Sequence, residues 1–429
     1  MLLCLYSLNV NITVPKDTVK KSLYKMKKKI PYLRIGTSYY RIVRVPTINN
    51  SFNVALIKWD KKTITDDHGR PYLRKIPKFL GKICFPNHFE FSKEIGGFYN
   101  TYSPLKYEPV EGNIKNTIKF FKHIFGNQME LGLDYFKLLY EKPTQILPVL
   151  CLVSRERGTA KSTFLKFLKE VFGSNMSYLD SHNLSSNFNL DWGNKLILGM
   201  DEAFFQKDEI TEKIKYLSTS NKNKIEAKGQ ERFEVDFFGK FIMCSNKEDS
   251  FIKIDSDETR FWVIKVPKIK KEDVNFLDKL ITEIPAFLDY ILKREFVTER
   301  KTRMWFTPQQ IYTPALKKLV NNNRNRVEKE LAEILMSVMD KFELESVDFT
   351  PMDLLNALNR TRVKTDLTQL RKILKKDWKL SNQKNSLKYN RFILLSCGDI
   401  VQNDAKGRYY SINKEFLIKN FDESMTESY

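Results

Sequence analysis

The chain has 429 residues, with 73 Lys plus Arg against 52 Asp plus Glu, a formal charge of +21. At roughly 100–200 residues per domain such a length predicts two to four domains, and an apolar share of 42% is enough to give each a core, which excludes global disorder. The longest apolar runs break within about ten residues, short of the roughly twenty that a bilayer span needs.

The surplus of positive charge favours polyanionic partners, and without an amphipathic anchor it favours nucleic acid over a membrane. Residues 1–14 are mildly apolar, but Asn9 and Asn11 interrupt them and no basic residue precedes them, so a secretory signal is not expected and a cytoplasmic setting is. Cys4, Cys84, Cys151, Cys244 and Cys397 show no CxxC spacing and no neighbouring His pair, which predicts reduced thiols rather than a zinc site or disulfides.

In chain order, residues 1–110 are predicted to form a small α+β region, with strands over 39–45 and 53–59 followed by turn-forming residues from Asp66 to Pro71. Seven lysines between positions 16 and 29 suit a solvated helix face or a nucleic-acid arm. A helical segment is expected over 111–146: Ile114, Ile118, Phe121, Ile124 and Phe125 recur at helical spacing, Gly126 stops them, and a second helix over 129–140 ends before Pro143. The continuous apolar run 147–153 then suits a strand buried on both faces of a parallel sheet, opening an α/β domain over 147–267. A helical extension over 268–320, a polar linker over 321–326 and a terminal unit over 327–429 complete the chain.

The strongest chemical signal follows the strand at 147–153. Gly158, Thr159, Ala160, Lys161, Ser162 and Thr163 lead into a helical run that Gly173 closes. A strand, a tight loop, Lys-Ser and a helix suit phosphate binding: loop N–H groups and the helix N-terminus face the anion, the lysine reaches the outer phosphates and the Ser162 hydroxyl can ligate Mg²⁺. The strict pattern GxxxxGK[ST] fails twice, because Arg155 and Ala160 stand where it has glycine, and the Ala160 methyl would strain the turn or hold the backbone off the phosphate. A second apolar strand ends in Asp201-Glu202, a pair suited to holding the metal ion and acting as general base, or simply to capping a helix. A third delivers Asn246, either a water-orienting amide or a turn residue, and Arg260 follows before a fourth apolar run.

This ordered set, with the segment carrying Lys228 between the acidic pair and Asn246, resembles the superfamily 3 helicases, especially the helicase module of phage, plasmid and poxvirus-type primase-helicases. The resemblance spans about 147–267 and implies an AAA+-related P-loop ATPase that forms a ring, usually a hexamer, and moves along single-stranded DNA. It implies ATP and Mg²⁺ as ligands, with Lys161 and Ser162 at the phosphate and metal positions and Asp201 and Glu202 as the acidic pair. It further implies Asn246 as polar sensor, Arg260 as a finger reaching a neighbour's nucleotide and Lys228 on a hairpin touching DNA in the pore. Many relatives carry a primase or primase-polymerase domain ahead of the module; residues 1–110 are too few for one, and a separate primase or polymerase is a candidate partner.

The terminal unit is predicted to hold three helices and a β-wing. Thr365 would cap the third helix, with Leu367, Leu370, Ile373, Leu374 and Trp378 on its inner face and Arg371, Lys372, Lys375, Lys376 and Lys379 outside. Strands over 391–396 and 408–412 would flank a turn at 403–407. This resembles a winged-helix domain, a fold that meets DNA grooves through its third helix or serves as a protein-binding unit with a solvated basic face. The whole is expected to be an α/β protein, with a P-loop AAA+-like core built on a parallel sheet, a small α+β/helical region before it and a winged-helix-like domain after it. The expected activity is an ATP-dependent replicative DNA helicase of a phage or mobile element, acting on single-stranded or forked DNA. A nucleotide-switched origin-binding or loading factor and an RNA-directed ATPase are the alternatives.

Overall fold

The structure is a computed structural model that describes residues 30–46, 52–186, 189–205, 207–226, 233–255, 258–324, 326–361, 363–395 and 397–421. Two compact units separate: residues up to Phe85 with 91–101, and residues 86–90 with those from Tyr102 onward. The lysine-rich stretch 16–29 lies outside the described residues.

In the first unit, β1 (Tyr32–Ile35), β2 (Ser38–Pro46), β3 (Phe52–Trp59) and β4 (Lys78–Phe79) form a sheet of order β3-β2-β1-β4, and β5 (Lys82–Ile83), β6 (Glu94–Ile95) and β7 (Phe98–Asn100) form another of order β5-β7-β6. The Asp66–Asp67–His68 stretch is not a turn. It closes helix α1 (Lys61–His68), which Asp60 caps through the Thr63 N–H at 3.1 Å, and only Gly69, at φ 77°, breaks it.

The second unit begins with α2 (Lys115–Phe125) and α3 (Met129–Glu141). The buried Glu283 carboxylate accepts from the Asn116 and Thr117 N–H groups at 3.2 and 2.7 Å, a cap contributed from a distant helix that fixes the start of α2. The central sheet follows: β8 (Val149–Val153), α4 (Lys161–Phe172), β9 (Met176–Tyr178), β10 (Ile197–Met200), α5 (Asp208–Leu217), the hairpin β11 (Lys222–Ile225) and β12 (Phe233–Asp236), then β13 (Lys240–Ser245) and β14 (Phe261–Lys265). The sheet has five strands, all parallel, in the order β14-β8-β13-β10-β9. Taken by chain position that is 5-1-4-3-2, an α/β P-loop core of AAA+-like order.

Both faces of this sheet are covered, which is why its strands read as unbroken apolar runs. Cys151, Val153, Met200, Met243 and Val263 pack towards Ile210, Ile214 and Leu217 of α5 and towards Leu316 and Leu319 of α7 (Pro314–Asn323). On the other face Trp262 meets Phe125 and Tyr135 at ring-centre distances of 5.5 and 5.8 Å. A cluster of Phe121, Phe164 and Phe287 joins α2 and α4 to α6 (Phe276–Lys293) there. Cys151 and Cys244 are buried free thiols in β8 and β13, and Cys397 is an exposed free thiol; Cys4 lies outside the described residues.

The expected linker over 321–326 is shorter. Asn321, Asn322 and Asn323 finish α7, Arg326 begins α8 (Arg326–Lys341), and Arg324 is the described residue between them. The terminal unit continues with β15 (Ser346–Phe349), α9 (Pro351–Leu358), α10 (Leu367–Lys372), β16 (Leu387–Leu394), β17 (Ile400–Gly407), β18 (Tyr410–Asn413) and α11 (Lys414–Phe421); β15 pairs with β18 and β16 with β17, both antiparallel. Asp366 rather than Thr365 caps α10, accepting from Gln369 N–H at 2.9 Å, and the helix runs into a π turn over Ile373–Asp377. The wing differs from expectation: 403–407 lies in β17, and the hairpin turns at 395–399, where Gly398 takes φ 88°. The side-chain bond from Arg391 to Asn403 at 3.1 Å, with full pairing along β16, holds a turn-like composition in a strand. No helix among the described residues is long and apolar enough to cross a membrane.

Candidate functional site

The carboxyl ends of β8, β10 and β13 lie side by side, and each delivers residues picked out from the sequence. After β8 the chain leaves through Ser154, whose N–H is tied to the Ser245 carbonyl at 3.1 Å, and reaches Gly158 with φ 69° and Ala160 with φ 62°, ψ 18°. Ala160 thus occupies the left-handed conformation that favours glycine, and its carbonyl accepts the first helical bond of α4 from Phe164 at 3.0 Å. The N–H groups at the start of a twelve-residue helix have no partner within the helix and face the loop.

Lys161 is buried, and its ammonium donates to Thr159 Oγ1 at 2.9 Å and to Asn246 Oδ1 at 3.1 Å. Burial draws its pKa below the ordinary lysine value, and the negative charges of Asp201 and Glu248 oppose that shift. Ser162 Oγ donates to Asp201 Oδ1 at 3.1 Å, and the same carboxylate oxygen accepts the Glu202 N–H at 3.2 Å. Glu202 is exposed, with φ 55°. Two non-glycine residues in left-handed backbone at one site is where strain concentrates when geometry serves chemistry.

These residues line one cavity of about 450 Å³, bounded by residues 157–163 of the loop, by Asp201 and Glu202, and by 244–246 after β13. A serine hydroxyl beside a carboxylate is a hard oxygen donor pair suited to Mg²⁺, which keeps waters and phosphate oxygens as its other ligands. Among the described residues no group of three or more His, Cys, Asp or Glu could enclose a metal without such help.

The structure does not bring Arg260 here. It precedes β14, whose start pairs with the start of β8, so it lies a strand's length, roughly 15 Å, from the loop. Its guanidinium contacts Glu258 at 2.9 Å, and its Nε is buried without a hydrogen-bond partner among the described residues. Lys228 lies outside the described residues, within the connection joining β11 and β12. Arg371, Lys372, Lys375 and Lys376 are exposed on α10 and its π turn.

Sequence reasoning missed two tethers on the phosphate-type loop. His123 Nε2 lies 3.1 Å from the Thr159 carbonyl, which can only accept, so that nitrogen carries the proton. The Ile269 N–H, beyond β14, donates to the Gly158 carbonyl at 3.0 Å. Neither has a local sequence signature, since each pairs residues far apart in the chain.

Residues 152–260 match a family of unknown function (DUF5906). No curated protein matches the sequence. Among solved structures, the apo C-terminal region of NrS-1 (305–718) superposes with TM-score 0.56 at 17% identity over 80% of this chain and 82% of that one. The A form apo structure of the NrS-1 C-terminal region gives 0.54 at 18% identity, over 78% and 80%. Both likenesses show a shared fold over about four fifths of each chain. The JCV helicase aligns at TM-score 0.27 with 14% identity, over 54% of this chain and 66% of that one.

Proposed function

We propose that this chain is an ATP-dependent DNA helicase that works as a ring, a hexamer by its resemblance, on single-stranded or forked DNA. The observation that carries the reading is the convergence of Lys161, Ser162, Asp201 and Asn246 on one cavity at the carboxyl ends of a parallel sheet ordered 5-1-4-3-2.

In this reading the loop N–H groups and the start of α4 receive the ATP phosphates. Lys161 exchanges Thr159 and Asn246 for the outer phosphate oxygens, at little cost because its side chain is already buried. Ser162 and Asp201 would hold Mg²⁺, which when bound supplies positive charge to the bridging phosphate oxygens. Freed from the lysine, Asn246 orients the attacking water and Glu202 accepts its proton. Arg260 stabilises transferring charge in a neighbour's site, a role suited to a guanidinium remote from its own loop. The connection carrying Lys228 touches DNA in the pore, and the net charge of +21 adds sequence-independent affinity.

ATP turnover with and without single-stranded DNA, together with strand displacement on a forked duplex, tests the proposal. Stimulated hydrolysis is expected, and its absence in folded protein sinks the helicase. Matched DNA and RNA oligomers decide the sugar. Ala160 in left-handed backbone favours a second reading, an origin-binding or loading factor that uses nucleotide as an assembly switch. Tight ATP binding with ring formation and negligible turnover would select it.

A further inference from the structure

The sequence groups Arg371, Lys372, Lys375 and Lys376 on one outward basic face, and the fold divides them. Lys372 and Lys376, one turn apart, line a cleft of about 550 Å³ between the central core and the terminal unit, together with Lys379; Arg371 and Lys375 do not line it. The opposite wall is the segment 253–255 after β13, and the floor is the junction of α7 and α8. Asn323 Nδ2 donates to the Ile252 carbonyl at 2.9 Å and holds floor to wall.

The lining is cationic, with five Lys or Arg against three carboxylates. Lys253 is paired with Asp208 at 3.1 Å, and Asp255 is taken up by Lys215 at 3.2 Å. Lys372, Lys376 and Lys379 have no ion-pair partner among the described residues. At the floor, the Arg324 side chain is 8% exposed, pairs with Glu328 at 3.5 Å, donates to Asn420 Oδ1 at 3.4 Å, lies 4.3 Å from the centre of the Phe421 ring and feels the Asp377 charge, while its Nε has no hydrogen-bond partner among the described residues. Three exposed ammonium groups above a buried guanidinium, on a concave surface where Glu328 and Asp377 offset only part of the charge, concentrate positive potential.

We propose that this cleft binds the backbone phosphates of one nucleic-acid strand, which is then gripped between the core and the terminal unit rather than read on the outer face of the third helix. The inference deepens the DNA reading above and rests on it. The volume suits about one or two nucleotides, as for other ligand clefts, and leaves no room for a duplex.

The test uses the full chain and a fluorescent oligo-dT, with affinity followed across a salt series. The variant Lys372→Gln/Lys376→Gln/Lys379→Gln should bind about tenfold or more weakly and flatten the log–log salt slope by about 2, from roughly 0.7 per phosphate contact. Lys376→Gln alone should flatten it by about 0.7. The control Arg371→Gln/Lys375→Gln should stay within about twofold of wild type, and thermal melting verifies that all variants fold. Normal binding by the triple variant, or a greater loss in the control, overturns the cleft while leaving the DNA reading intact. A wild-type chain that is folded and binds no oligomer overturns the DNA reading itself. Displacement of the oligomer by inorganic pyrophosphate at equal phosphate concentration assigns the cleft to small anions and overturns the strand.

Discussion

Replacing Ala160 with glycine isolates the cost of the departure from the glycine pattern. At φ 62°, ψ 18° an alanine carries a left-handed penalty of about 1–2 kcal/mol, from the approach of Cβ to the following carbonyl oxygen. Glycine removes that penalty but gives the unfolded chain back about 0.4–1 kcal/mol of conformational freedom. The net gain is about 0.5–1 kcal/mol, which for a cooperative unit of a few hundred residues raises the melting midpoint by roughly 1–3 °C. Ala160→Val should lower it, because a β-branched side chain tolerates this conformation less well. Thermal melting of the three proteins should therefore order them Gly, Ala, Val. If the relief were felt only with nucleotide bound, affinity would rise by at most about fivefold, since 1.4 kcal/mol is one decade. A glycine variant that melts below wild type, or binds ATP more than about tenfold better, refutes this account of the loop.

Lys161→Ala should abolish ATP binding in a nucleotide-binding titration, while Asn246→Ala should keep binding and lose most turnover; equal loss of binding in both would mean that Asn246 only buttresses the lysine. Arg260→Ala should bind ATP normally and lose about 10³-fold or more in kcat in the assembled ring, and normal hydrolysis there removes its finger role. Two bases contribute to the pH dependence of folding, the buried Lys240 and the half-buried His88. Burial brings Lys240 down from 10.5 to about 7, and burial, opposed by the Tyr140 carbonyl and helped by the Lys240 charge, brings His88 from 6.5 to about 4. In each window the unfolded chain binds more protons than the folded one, so stability should rise from pH 7 to 10.5 and from pH 4 to 6.5. Denaturant titrations should show both slopes, with Lys240→Met losing the alkaline one.

Much of the core was legible because burial on both faces of a parallel sheet erases alternation and leaves apolar runs such as 147–153, and because loops at strand ends collect polar residues in order. Lys161, Ser162, Asp201 and Asn246 line one cavity, as their order at successive strand ends and the family resemblance together suggested. Local composition misled where neighbours decided. Asp66 and Asp67 look turn-forming but finish a helix capped from Asp60, and Asn403 to Gly407 look like a turn but are held extended by the strand opposite. The asparagines at 321–323 read as linker yet complete α7. The unequal fates of Lys372 and Lys375 were hidden too, since they depend on the tertiary packing around the π turn and not on spacing.

The two backbone carbonyls tethered by His123 and Ile269 belong to consecutive residues of the loop, and the tethers come from opposite ends of the core sequence. A loop moored fore and aft would pass any reshaping to both moorings, the helix ahead of the sheet and the strand exit behind it, and His123→Ala would cut one of the two bonds.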